Sequence, residues 1–246
     1  MVTQSNNHID AVPKVLLQQL LDVLSAKGYR TVGPVVRDGS VFWDTIRQVA
    51  DLPIGWRDEQ APGRYRIEQT GSTRIFGVVH GPQSVKPLAF APRESLLKIE
   101  RSKGRVSVQP TMPKSEKVAV LGVRACDLAG LAIQDHIFLK DAYRDPYYRI
   151  RRDGLFLIAV NCTRALATCF CASMDTGPRA SANFDLALTE LDEEMLVEAG
   201  SEAGREVVRA LTCAPASPAQ RREAERQIKA CAGSQTRQLD RSRLPS

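Results

Sequence analysis

No run of eighteen consecutive apolar residues occurs anywhere in this chain of 246 residues, which leaves no candidate for a membrane-spanning helix. The first stretch, "MVTQSNNHIDAVPKVLLQQLLDVLSAKGYR", lacks the basic start, the continuous apolar segment and the small-residue cleavage site of a secretory leader. The expected compartment is therefore the cytoplasm, where thiols stay reduced. Aromatic residues are sparse at 6%, and no recognised DNA- or RNA-binding motif is present, so a base-stacking surface is not expected. This holds although the chain carries a formal charge of +6, much of it in "AQRREAERQIKACAGSQTRQLDRSR". No GxGxxG fingerprint, phosphate loop or nucleophile–His–acid arrangement is visible, which leaves no independent flavin site or substrate pocket to assign. Nothing repeats at a fixed period, and there is no long low-complexity segment.

What is present fits a globular protein, with 43% hydrophobic and 25% charged residues. Val15, Leu16, Leu20, Leu21, Val23 and Leu24 fall near helical spacing and predict an amphipathic helix that ends close to Gly28. Asp38-Gly39 between two β-rich runs predicts a hairpin. A second hairpin is expected around Gly71-Ser72, and a short helix or turn from Glu94 to Arg101, before the strand "VSVQP". From Lys117 the pattern changes. "KVAVLGV" and "LFLIAVN" read as buried strands around the helical "DLAGLAIQDHIFL", a βαβ unit of a parallel sheet. "FDLALTEL" and "EMLVEAG" read as further strands, followed by the helix-like "SEAGREVVRAL" and a charged helix that starts near Pro218. The expectation is an α/β protein with a parallel βαβ core. Its domain would span residues 1–213 with a hairpin-rich portion over about 30–115, and 214–246 would form a charged helical extension or a truncated linker.

Three of the six cysteines, Cys162, Cys169 and Cys171, fall within ten positions in "NCTRALATCFCASMDTGP". Cys126 lies far upstream but directly after the strand "KVAVLGV". In a βαβ unit both strands run the same way, so Cys126 and Cys162 emerge on one rim of the sheet, where open α/β sheets bind ligands. Four thiols can meet there. Four thiolates suit a tetrahedral zinc ion or an iron–sulfur cluster. The spacing Cys-x35-Cys-x6-Cys-x-Cys contains none of the Cys-x2-Cys knuckles of structural zinc, which favours a [4Fe–4S] cluster on Cys126, Cys162, Cys169 and Cys171. The other readings are buried unligated cysteines, and a redox disulfide disfavoured by the lack of a Cys-x-x-Cys at a helix start. Cys213 and Cys231 are expected to be ordinary thiols away from the rim. His136 is read as a helix-surface residue, and Arg124 either as a charge beside the cluster or as an exposed ion-pair partner. "TGP" at 176–178 reads as a tight turn with backbone freedom at Gly177.

The blocks "LGVRACDLAGLAIQDHIFL", "DPYYRIRR", "VNCTRALATCFCASMDTGP" and "FDLALTEL", with "LPIGWRDEQAPGRYRIE" and "HGPQSVKPLAFAPRE", resemble the beta subunit of cytosolic sulfhydrogenases, the electron-transfer subunit of [NiFe] hydrogenases. They also resemble the related A subunit of anaerobic sulfite reductase. The likeness runs from about residue 30 to 200. It implies a [4Fe–4S] subunit that passes electrons between a flavin- and nicotinamide-binding partner and a catalytic hydrogenase or sulfite reductase subunit. The family pattern often has Pro where this chain has Ala125, and Gly where it has Asp175. Asp is among the better replacements if that position lies at positive φ. Longer members continue into a ferredoxin-like module with Cys-x2-Cys-x2-Cys-x3-Cys-Pro runs that are not in this sequence, which then reads as a truncated form, a fragment or one half of a split subunit whose partner is a separate ferredoxin-like module. The alternative to this reading is a zinc-stabilised scaffold subunit without redox chemistry.

Overall fold

The computed structural model describes residues 8–79, 81–102, 104–240 and 242. In chain order the main elements are β1 (Ile9–Pro13), α1 (Leu17–Ala26), β2 (Arg30–Arg37), β3 (Ser40–Thr45), β4 (Trp56–Ala61), β5 (Arg64–Gln69), α2 (Lys86–Ala89), β6 (Leu97–Ser102) and β7 (Arg105–Pro110). They continue as β8 (Val118–Val123), α3 (Ala125–Asp135), α4 (Pro146–Asp153), β9 (Leu155–Val160), β10 (Leu186–Glu190), β11 (Glu194–Ala199), α5 (Glu202–Arg209), β12 (Ala214–Pro215) and α6 (Pro218–Gly233).

One eight-stranded sheet organises the protein, in the order β12-β1-β11-β10-β9-β8-β2-β3. Its centre is parallel: β2 pairs with β8, β8 with β9 and β9 with β10 in the same direction. The flanking strands β3, β11, β1 and β12 run antiparallel to their inner neighbours. All six residues of β8 are buried, as are the last five of β9. Apolar runs without alternation belong in a sheet covered on both faces. On one face Ala119, Leu121, Phe156, Ile158 and Leu188 pack against α1 and α5. On the other, Val120, Leu157, Ala159 and Ala187 meet Leu128 and Leu131 of α3, Tyr148 of α4 and Ala89 of α2. The result is a three-layer α/β fold.

The helices begin and end where local chemistry dictates. In α1, Leu17, Leu20, Leu21 and Leu24 are all buried, spaced to lie on one face. Replacing any one by Ala would cost about 2–5 kcal/mol. Asp145 caps α4 by accepting from the N–H groups of Tyr147 (2.8 Å) and Tyr148 (3.1 Å), and Pro146 occupies the first position, where a missing N–H costs nothing. Ser217 starts α6 as half of a reciprocal pair: Gln220 N–H donates to the Ser217 hydroxyl at 3.3 Å, and the Gln220 side chain accepts from Ser217 N–H at 2.7 Å.

The βαβ unit, the Asp38-Gly39 turn and the strands of "FDLALTEL" and "EMLVEAG" stand as the sequence predicts. Both turn residues have positive φ, 48° and 70°. Two local expectations do not hold, and one strand was not expected. No strand follows Gly71: β5 pairs with β4 across Pro62-Gly63, and the chain beyond runs irregularly. Carboxylates take the backbone bonds that a strand would have used there. Glu190 accepts from Ile75 N–H (2.7 Å) and Phe76 N–H (2.9 Å), and Asp58 accepts from Val79 N–H (3.0 Å). In place of the short helix or turn expected over Glu94–Arg101 stands β6, paired with β7, where Leu97, Ile99 and Arg101 alternate with Lys98 and Glu100 at the strand period. That hairpin stands clear of the body with every described residue exposed, including Ile99, Val106 and Val108. Finally, "IDAVP" forms β1, too short to announce itself by periodicity, and it carries the sheet out to β12. Among the described residues no helix is long and apolar enough to cross a membrane.

Candidate metal centre

Cys126 is the second residue of α3 and follows β8 after a two-residue step; Cys162 follows β9 after Asn161. Because β8 and β9 are adjacent and parallel, both thiols sit on one rim of the sheet. The return from β9 to β10 contains no helix. It is the cysteine loop itself, which crosses the rim before the chain re-enters the sheet.

Buried polar contacts hold that loop in place. Asn161, almost fully buried, donates to Thr189 Oγ1 at 2.8 Å and accepts from Ala180 N–H at 2.8 Å, while Cys162 N–H donates to the Pro178 carbonyl at 3.1 Å. Arg164 donates to the Asp58 carboxylate and to the carbonyls of Asp58 (2.9 Å) and Gly77 (3.1 Å), fastening the loop to β4. The Asp58 residue is completely buried. Asp175 lies at φ 54°, the left-handed region in which Asp is tolerated. Gly177 is not among the residues of positive φ. A Cβ there would stand 3.0 Å from Cys171 Sγ and 3.2 Å from Ala125 Cβ, so this glycine provides room beside the thiol rather than backbone freedom.

Arg124 is neither exposed nor ion-paired in the way a surface arginine would be. It is 4% exposed, and its guanidinium donates to the carbonyls of Val79 (3.1 Å), Val160 (3.2 Å), Phe76 (3.3 Å) and Val78. A positive charge is thus locked beneath the rim, close enough to oppose the rise of the Cys126 and Cys162 thiols. Burial pushes both of those thiols up, and neighbouring thiols add to it: Cys162 and Cys171 for Cys126, Cys171 and Cys169 for Cys162. For Cys126 the Asp127 carboxylate acts in the same direction, ahead of the thiols. Cys169 is raised by burial, with Leu166 N–H, which donates to its Sγ at 3.4 Å, opposing and Cys171 adding.

Cys231 on α6 belongs to the same neighbourhood, contrary to the sequence expectation. It is 2% exposed and packs with Cys162, Leu166 and Val79, with Cys169 alongside. Burial and then Cys162, Cys171 and Cys169 push its thiol up to about 12. Just past the end of α6, Gln235 donates from Nε2 to Cys171 Sγ at 3.2 Å and accepts from Ala172 N–H at 3.0 Å. Amphipathic spacing on α6 gave no sign of which element it would cover, so neither residue was marked by pattern. Cys213 lies elsewhere, packed beside α5 and the sheet, and His136 is exposed on its helix. His80 falls outside the described residues.

The donor set is sulfur throughout, with N–H groups aimed at two of the sulfurs, a buried cation below and space kept open by Gly177. Such surroundings fit an iron–sulfur cluster. Among the described residues no group of three or more His, Cys, Asp or Glu side chains is drawn together around a single-ion position. Next to Cys162 a cavity of about 590 Å³ opens, lined in part by Trp56, Arg57, Arg74 and Arg226, so the rim is approachable from that side.

No family model matches the chain. It is 31% identical over 146 residues to the sulfhydrogenase 2 subunit beta of Pyrococcus furiosus, a match that covers 58% of this chain and 41% of that relative. The chain therefore spans less than half of that relative's length in the shared stretch. Over that stretch it is a distant homologue of the sulfhydrogenase beta subunit.

Proposed function

We propose that the chain is a non-catalytic electron-transfer subunit of a cytoplasmic oxidoreductase complex of the hydrogenase or sulfite reductase kind, with one [4Fe–4S] cluster held by Cys126, Cys162, Cys169 and Cys171. The observation that carries this reading is the emergence of Cys126 and Cys162 from neighbouring parallel strands onto the rim crossed by the loop of Cys169 and Cys171. The likeness to a sulfhydrogenase beta subunit supports the same reading. When bound, the cluster supplies reversible one-electron storage. The protein's own part is electrostatic: Arg124 offsets negative charge on the thiolates, Leu166 and Gln235 donate N–H bonds to sulfur, and burial excludes water. Electrons would reach this subunit from a flavin- and nicotinamide-binding partner and leave for the catalytic subunit. A single cluster spans little distance, so a further centre, such as that of a ferredoxin-like module, would carry the electron onward.

Anaerobic purification followed by iron, sulfide and zinc analysis tests the proposal. The expected protein is brown, with about four irons and four sulfides per chain, and gives an EPR signal on reduction. Colourless protein with one zinc per chain would replace this reading with a zinc-stabilised scaffold.

A further inference from the structure

We propose that the cavity beside Cys162 is a binding site for a mononucleotide, a phosphate monoester carried on a planar heterocycle. The inference does not depend on the iron–sulfur reading, because no thiol takes part in it.

The cavity, of about 590 Å³, is bounded by β4, the irregular stretch after β5 and α6, at the rim where the parallel strands end. Small-molecule sites run to about 300–1,000 Å³ and favour such rims. An inorganic anion would leave most of this volume empty, so the cavity suits a larger occupant.

Its charge is one-sided. Five arginines, Arg57, Arg74, Arg124, Arg164 and Arg226, line it against two carboxylates, Asp192 and Glu223. Arg164 is committed to Asp58 and Arg124 to backbone carbonyls, which leaves the other three to meet a ligand. The Arg57 guanidinium has no hydrogen-bond or ion-pair partner among the described residues. Arg74 is anchored from Nη1 by the Glu190 carbonyl at 2.8 Å and meets Asp192 from Nη2 at 3.2 Å. The Asp192 side chain is 88% exposed, so that ion pair is weak and screened and yields to a doubly charged anion. Arg226 is held by Glu223 in a two-pronged pair of 2.8 and 2.6 Å. A phosphate monoester carries a charge of about −1.5 to −2 at pH 7 and oxygens that match guanidinium forks. The single charge of a carboxylate would satisfy Arg57 alone.

The rest of the wall selects what the phosphate is attached to. Trp56, Phe76 and Val79 contribute aromatic and apolar surface for a planar ring. Gln227, also on the wall, has a buried Oε1 with no hydrogen-bond partner, while its Nε2 donates to Glu223 Oε1 at 2.8 Å. Turning the amide over would set its oxygen against the Glu223 carboxylate, so the orphan acceptor stays where it is. A buried acceptor left open calls for a donor from outside the chain, and a sugar hydroxyl or ring N–H supplies one.

Isothermal titration calorimetry on the full chain tests the site, with AMP and FMN as probes and adenosine, riboflavin and inorganic phosphate as controls. AMP or FMN should bind once per chain, at least about ten-fold more tightly than both its dephosphorylated form and inorganic phosphate, and the tighter of the two identifies the ring. Arg57→Gln should weaken that binding by about ten-fold or more and leave the melting temperature unchanged, since Arg57 has no partner to lose. Gln227→Leu should weaken it by about ten-fold without lowering the melting temperature, because in the free protein it removes an unsatisfied acceptor. If neither AMP nor FMN binds more tightly than inorganic phosphate, or if either variant keeps the wild-type affinity, the inference is overturned. A wild-type chain that binds no iron but does bind one of the two probes would end the electron-transfer reading and leave this site standing.

Discussion

Gln235 grips the cysteine loop at two points, donating from Nε2 to Cys171 Sγ at 3.2 Å and accepting Ala172 N–H at 3.0 Å. An N–H bond to a ligand sulfur stabilises the more negative, reduced cluster more than the oxidised one, and thereby raises its potential. Gln235→Leu should lower the potential by about 20–60 mV, the equivalent of one ordinary hydrogen bond of 0.5–1.5 kcal/mol for a one-electron couple. An EPR-monitored redox titration reads this directly. An unchanged or higher potential would mean that the amide only braces the loop.

Arg124 binds four backbone carbonyls from two separate segments, 76–79 and the end of β9. Methionine there would keep much of the volume but strip donors from buried acceptors, at a cost of roughly 2–4 kcal/mol. Arg124→Met should therefore lower the midpoint in urea unfolding and reduce iron content together. Arg124→Lys should fall between the wild type and Arg124→Met, since an ammonium keeps the charge but cannot reach all four carbonyls at once. Loss of iron without loss of stability would assign Arg124 to charge compensation alone.

Much of this architecture is readable from residue order, for definite reasons. "KVAVLGV" and "LFLIAVN" are continuous apolar runs, and their parallel pairing follows from the helix between them, so the placement of Cys126 and Cys162 at one rim needs no coordinates. The rest depends on long-range contacts without a periodic signature. Glu190 and Asp58 hold the segment after Gly71 by its N–H groups, which no local pattern reveals. Arg124 looks like a surface residue until carbonyls from a distant loop close around it. Cys231 sits in a charged helix whose buried stripe is narrow, and only tertiary packing shows that this stripe covers thiols.

Asp58 and Arg164 join β4 to the cysteine loop, with Asp58 fully buried and also accepting Val79 N–H at 3.0 Å. Removing only the cation breaks a buried ion pair, which typically costs about 3–5 kcal/mol. Arg164→Ala should destabilise on that scale and free the stretch between Cys162 and Cys169. Adding Asp58→Asn should return part of the loss by removing a buried charge whose cation is gone. Chemical denaturation of the two variants decides the point: a double variant no more stable than Arg164→Ala would show that Arg164 acts through its carbonyl contacts and not through the ion pair.

Glu94, in the loop before β6, pairs with Arg151 of α4, and this hydrogen bond, ahead of the guanidinium's charge, holds its carboxyl below the usual glutamate range. A depressed folded-state value means that the unfolded chain takes up a proton first on acidification. The pair's contribution is therefore fully present above about pH 4.3, the ordinary glutamate value, and fades as pH falls through the lower folded-state value. Glu94→Gln should lower the melting temperature slightly at neutral pH and give a shallower acid decline than the wild type over the carboxylate range. Surface pairs of this kind contribute little and are screened, so the difference should shrink further in about 1 M salt. Melting curves recorded across that pH range at low and high salt check both statements, and parallel acid slopes for the two proteins would remove Glu94 as a source of the acid sensitivity.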